Sequence, residues 1–175
     1  VGYLLVSMFT SEWRDVQKGQ VSPLWRWIGG YFMPLVLFWC AKQAPWSERT
    51  VRMVLAAFSL FGIYLGVTAI LEITGQWWAV FPKYIADPKI GLHFGRARGP
   101  MVHGVSFGHY QAVCLLAAWV WATLLSGRRR LFLAMLMPLF FGGVYFSYTR
   151  SVWMGAGLGL CLVLVLTLSG RARTT

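Results

Sequence analysis

The sequence predicts an all-α, polytopic transmembrane helix bundle of about five spans, plus a truncated one at the N-terminus. Three observations carry that expectation. Of 175 residues, 58% are hydrophobic and only 12% charged, about half the charged share of an ordinary soluble domain. Apolar runs near 20 residues recur along the chain, and about 20 residues at 1.5 Å each cross a hydrocarbon core of roughly 30 Å. Most basic residues flank those runs rather than interrupting them, as they do where helices end at a membrane surface.

The opening V-G-Y-L-L-V-S-M-F reads as the tail of a span cut short, with no basic-then-apolar targeting pattern. The 175 residues are therefore expected to be one membrane-embedded domain, 1–175, taken from a longer polytopic protein. Residues 10–26 form a polar connection closed by Trp25 and Trp27, an interfacial pair. The apolar run 27–41 is short and carries Pro34. It reads as a thin span helped by snorkelling Arg26 and Lys42, or as a re-entrant segment. Residues 42–52 connect it to a clean span at 53–71, which contains Gly62-x-x-x-Gly66, a face on which another helix can approach closely.

Residues 72–100 are the longest non-spanning stretch. Pro82, Asp87-Pro88 and Gly91 break it up, and its aromatic residues suit a membrane surface. Trp77 and Trp78 are also candidates for contact with a sugar ring or a lipid. A run without Lys, Arg, Asp or Glu follows from Gly99 to Gly127, giving a span at 102–126 with Gly104 and Gly108 as a second close-packing face. Arg128-Arg129-Arg130 form a tight basic turn before the spans 131–148 and 152–169. A single helix over 131–169 would be about 58 Å long, so the chain must turn near Arg150.

Alternation of spans puts residues 42–52, the triple arginine and the tail on one side, and residues 72–100 with Arg150 on the other. Lysine and arginine divide eight to eight of 16, but they are denser in the short segments of the first side, which is assigned to the cytoplasm. Arg96, Arg98 and Arg150 then lie on the outer face, against the usual bias. They are either headgroup anchors or an anion site. Guanidinium offers paired planar donors to phosphate oxygens, and Thr149 or Ser151 would cap a helix whose free N–H groups point the same way.

Other chemistry is thin. The five acids, Glu12, Asp15, Glu48, Glu72 and Asp87, all fall outside the spans, which speaks against proton- or cation-coupled transport. No carboxylate pair, nucleophile elbow, P-loop or dinucleotide fingerprint is present. Cys40, Cys114 and Cys161 read as small buried hydrophobes, and His103 and His109 point to different helix faces, so no metal site is expected. The net charge of +11 is explained by membrane flanks, and no nucleic-acid partner is expected.

The run Arg96-Ala-Arg98-Gly99-Pro100-x-x-His103, then a span, a basic turn, a span and Thr149-Arg150-Ser151-x-Trp153, resembles the O-antigen ligase and polymerase superfamily of membrane glycosyltransferases. The resemblance covers roughly half the chain. It implies transfer of a glycan from an undecaprenyl-pyrophosphate carrier to an acceptor on the outer face of the bacterial cytoplasmic membrane, within cell-surface polysaccharide synthesis. No cofactor or metal is implied. Arg96, Arg98 and Arg150 would hold the pyrophosphate, with Arg96 in the family's arginine-x-x-glycine spacing. The family's catalytic histidine sits on a long outer loop expected beyond Thr175. The catalytic residue is thus unassigned here, and His103 is retained only as a substitute candidate. The alternatives are a transporter of lipid-linked glycan or polysaccharide, and a non-catalytic membrane assembly subunit.

Overall fold

A computed structural model describes residues 27–92 and 94–172; the truncated opening span and the polar connection at 10–26 lie outside the described residues. The chain divides into two compact units, Val1–Ser47 and Glu48–Thr175. In the first, a π-helical turn, Ile28–Phe32, runs into helix α1, Met33–Gln43. The wide turn falls just ahead of Pro34, whose ring would collide with a carbonyl four residues back in a regular helix. Trp27 stacks on Phe32 at 5.6 Å, and α1 ends where the Trp46 indole donates to Ala41 O at 2.6 Å. This segment is not among the helices long enough to span, so the described residues hold four candidate spans where about five were expected.

Those four lie in the second unit: α2, Glu48–Ile73; α3, Gly104–Leu124; α4, Gly127–Phe146; and α5, Arg150–Ala172. Each is long and apolar enough to cross a membrane, which marks the chain as a multi-pass membrane protein. Helix α3 is central and packs against α2, α4 and α5. Its Phe107, Leu115 and Ala118 are fully buried, with Phe140 of α4 and Val152 of α5.

Missing side chains let these helices approach. A Cβ on Gly62 would overlap Phe140 and Cys114, and one on Gly66 would sit 2.7 Å from Leu139. On α3, a Cβ at Gly108 would lie 2.8 Å from Ser147. Of the pair Gly155 and Gly159, only Gly159 is packed, against Leu116; Gly155 faces open space. Gln111 adds a polar tie: its buried amide donates to Gly62 O and Phe140 O, each at 3.3 Å. With no water at this depth, an interhelical hydrogen bond is the way such a group is satisfied.

The turns depart in detail from expectation. Arg128, Arg129 and Arg130 belong to the first turn of α4, and the reversal falls at Leu125–Ser126, with Gly127 at φ +57°. The predicted break near Arg150 is a turn at residues 147–149. There Tyr148 takes φ +47° and Ser147 is buried, its hydroxyl donating to Val144 O at 2.7 Å.

Candidate functional site

The ends of α2 and α4 and the starts of α3 and α5 meet at one end of the second unit, covered by the loop from Thr74 to His103. Glu72, in the last turn of α2, organises this loop. Its buried carboxylate accepts from Arg98 N at 3.1 Å and Gly99 N at 2.7 Å. Gly99 is required here: its φ is +50°, and a Cβ would meet the Phe107 ring at 2.7 Å. The loop is then pinned outward by Leu92 N donating to Val102 O at 2.9 Å and by Ala97 N donating to Phe146 O at 3.0 Å.

Arg98 stands apart from the other two arginines. Its side chain is fully buried. Nη2 donates to Ile85 O at 2.6 Å and Asp87 O at 2.9 Å, and Nη1 donates to Ile90 O at 2.7 Å. The guanidinium lies 4.5 Å from the centre of the Phe94 ring, which in turn stacks on Trp77 at 5.2 Å. A buried charge needs this many partners to offset its desolvation. Both terminal nitrogens of the guanidinium are committed to backbone carbonyls, and what they do is fold residues 85–90 around themselves. Trp77 is likewise part of the stack, whereas Trp78 is 79% exposed, its indole donating to Gln76 Oε1 at 2.7 Å.

Arg96 and Arg150 flank the same turn. Arg96 is half-buried against the start of α3: a Cβ on Gly104 would lie 3.8 Å from Arg96 Cδ. Its Nη1 reaches to Tyr148 O at 3.5 Å, two residues before Arg150, which is exposed as the first residue of α5. Neither has a carboxylate partner; the one salt bridge among the described residues joins Arg52 and Glu48 at the opposite end. Among the described residues, the acids on this side are occupied elsewhere, Glu72 by two backbone amides and Asp87 Oδ1 by Lys89 N at 2.8 Å. Arg96 thus reaches the turn from which Arg150 starts α5, and among the described residues neither arginine is paired with a carboxylate.

The expected helix cap differs. The Thr149 hydroxyl donates back to Ser147 O at 3.0 Å, and it is the Thr149 carbonyl that accepts from Val152 N and Trp153 N. His103 is the residue that caps, at the start of α3: Nδ1 accepts from Ser106 N at 3.2 Å, satisfying an otherwise orphan donor. His109 Nδ1 is bonded to Val105 O at 2.9 Å on an exposed helix face. No group of His, Cys, Asp and Glu among the described residues is arranged to hold a metal.

Sequence reasoning missed Glu72 as the loop's organiser and Tyr148 as Arg96's partner. The signal for Glu72 was visible: it is the one acid that closes an apolar run. Tyr148 carried none, because its role is that of a backbone carbonyl in a left-handed turn. No family model, curated protein or solved structure matches the chain.

Proposed function

We propose that the chain is part of a membrane glycan ligase or polymerase, and that Arg96 and Arg150 hold the pyrophosphate of an undecaprenyl-linked glycan at the outer face of a bacterial cytoplasmic membrane. The observation that supports this most is that Arg96 reaches the carbonyl of Tyr148, two residues before Arg150, while neither arginine has a carboxylate partner among the described residues. The same two positions carry the arginines of the O-antigen ligase-like motif.

The chemistry suits that placement. The bond from the anomeric carbon to the carrier's phosphate oxygen breaks, an acceptor hydroxyl oxygen bonds to that carbon and gives up its proton to a general base not assigned among the described residues, and negative charge grows on the departing pyrophosphate. Fixed guanidinium groups at a low-dielectric boundary stabilise that growing charge, each worth about 3–4 kcal/mol. Arg98 takes no part in this contact; it holds the loop that carries Arg96. His103 is assigned the helix-cap role, its Nδ1 accepting from Ser106 N.

The test is glycan transfer from labelled undecaprenyl-pyrophosphate carrier in membranes holding the full-length protein. Arg96→Lys and Arg150→Lys should each lower transfer roughly 10²-fold with insertion unchanged, because lysine lacks the paired planar donors. Full activity in both variants would overturn the assignment. Movement of labelled glycan across the membrane without covalent transfer would overturn it in favour of transport.

A further inference from the structure

The opposite end of the second unit carries a different arrangement, which the glycan-transfer reading does not use. Arg52 of α2 and Arg128 and Arg129 of α4 line one cavity of about 360 Å³ with Leu124, Leu125 and Ser126. Arg128 and Arg129 also form the rim of an apolar groove of about 380 Å³ between α2, α3 and α4, walled by Ile63, Trp121, Leu133 and Leu136. Trp121, Leu125 and Arg129 are shared with a neighbouring groove of about 420 Å³ that adds Met53 and Ala56, with Glu48, Arg49 and Arg52 at its charged edge. Two partly apolar channels therefore leave from one basic mouth, on either side of Trp121.

The charge at this mouth is only partly balanced by the described residues. Among the described residues, Glu48 is the one acid at this end, and it pairs with Arg52. Nothing acidic stands in the first turn of α4 to offset Arg128, Arg129 and Arg130. A groove of this composition, at the boundary of helices that cross a membrane, is complementary to a molecule with an anionic head and two hydrocarbon tails. Basic pockets between transmembrane helices bind anionic lipid headgroups for this reason. A free phosphate would use the mouth alone and leave both channels unfilled.

We propose that this end of the bundle is a binding site for an anionic glycerophospholipid, its phosphate held by Arg52, Arg128 and Arg129 and its acyl chains lying along the grooves on either side of Trp121. The site is separate from Arg96 and Arg150, and its occupant would brace α2 against α4 where no polar side-chain contact does so.

Trp121 is the natural reporter. The full chain is placed in phosphatidylcholine nanodiscs, and phosphatidylglycerol with brominated acyl chains is added as the probe, since bromine quenches a tryptophan it touches. The Trp121 component is the difference between the wild-type chain and Trp121→Phe. Brominated phosphatidylglycerol should quench that component at a roughly 25-fold lower mole fraction than brominated phosphatidylcholine, the scale expected of Arg128 and Arg129 at about fivefold each, Arg52 being already paired with Glu48. Arg52→Gln/Arg128→Gln/Arg129→Gln should abolish the preference. Ile63→Phe, which fills the groove and leaves the charges in place, should abolish it too, and this covers a misinserted triple variant. Excess glycerol phosphate should not relieve the quenching. Equal quenching by both lipids would overturn the proposal, as would a preference that survives Ile63→Phe, or relief by glycerol phosphate, which would assign the mouth to a soluble phosphate.

Discussion

Arg98→Lys keeps the positive charge and removes the fork. In the native loop the two terminal nitrogens reach three carbonyls, those of Ile85, Asp87 and Ile90, from one planar group stacked on Phe94. A single ammonium at the end of a flexible stem holds one of them well. Two charge-assisted hydrogen bonds are then lost at about 1.5 kcal/mol each, the low end of their range because a loop carbonyl can turn to water. The cation–ring contact adds about 0.5 kcal/mol. The loop should therefore open more easily by about 3.5 kcal/mol, roughly 400-fold in its opening equilibrium. Amide hydrogen exchange reads this directly. The amides of Leu92 and Ala97, bonded to Val102 O and Phe146 O, should lose about that factor of protection. The Leu115 amide, in the middle of α3, should not change. Arg96→Lys should leave all three untouched while lowering glycan transfer. Unchanged protection of Leu92 and Ala97 in Arg98→Lys would refute the reasoning, because the loop would then be held by something other than the buried guanidinium.

Gly108→Leu should separate α3 from the turn that carries Arg150, since even a Cβ would lie 2.8 Å from Ser147 and 3.0 Å from Val152; a loss of about 1–3 kcal/mol is expected, read as a lower thermal midpoint in detergent. Gln111→Leu should be close to neutral in the same assay, within about 1.5 kcal/mol. It removes two long hydrogen bonds at 3.3 Å but also an amide oxygen buried without a partner. Single cysteines at Lys89 and Arg129, in a background lacking Cys40, Cys114 and Cys161, should report topology in whole cells. A membrane-impermeant thiol reagent should label position 89 and spare position 129, and the reverse pattern would remove the outer-face site.

Residue type and spacing were enough for the membrane class and for four spans, because the cost of burying charge in hydrocarbon acts on each helix separately and leaves its mark in local composition. The same reasoning found Gly62, Gly66 and Gly108, since close approach of helices in a membrane selects small residues wherever it occurs. It could not tell which glycine of Gly155 and Gly159 is packed, because that depends on where Leu116 of a different helix arrives. The arginines show the boundary most plainly. Arg96 and Arg98 are two residues apart, identical in chemistry, and equally unexpected on the side that the sequence assigns to the outer face. Only the tertiary structure separates them. Glu72, contributed from 26 residues upstream, takes the Arg98 backbone and turns its side chain into the loop, while Arg96 is carried to the carbonyl of Tyr148, 52 residues downstream. A guanidinium becomes a structural clamp or an open cation according to whether carbonyls from distant parts of the chain close around it. That closure is a property of the packed loop and is written in no short stretch of sequence.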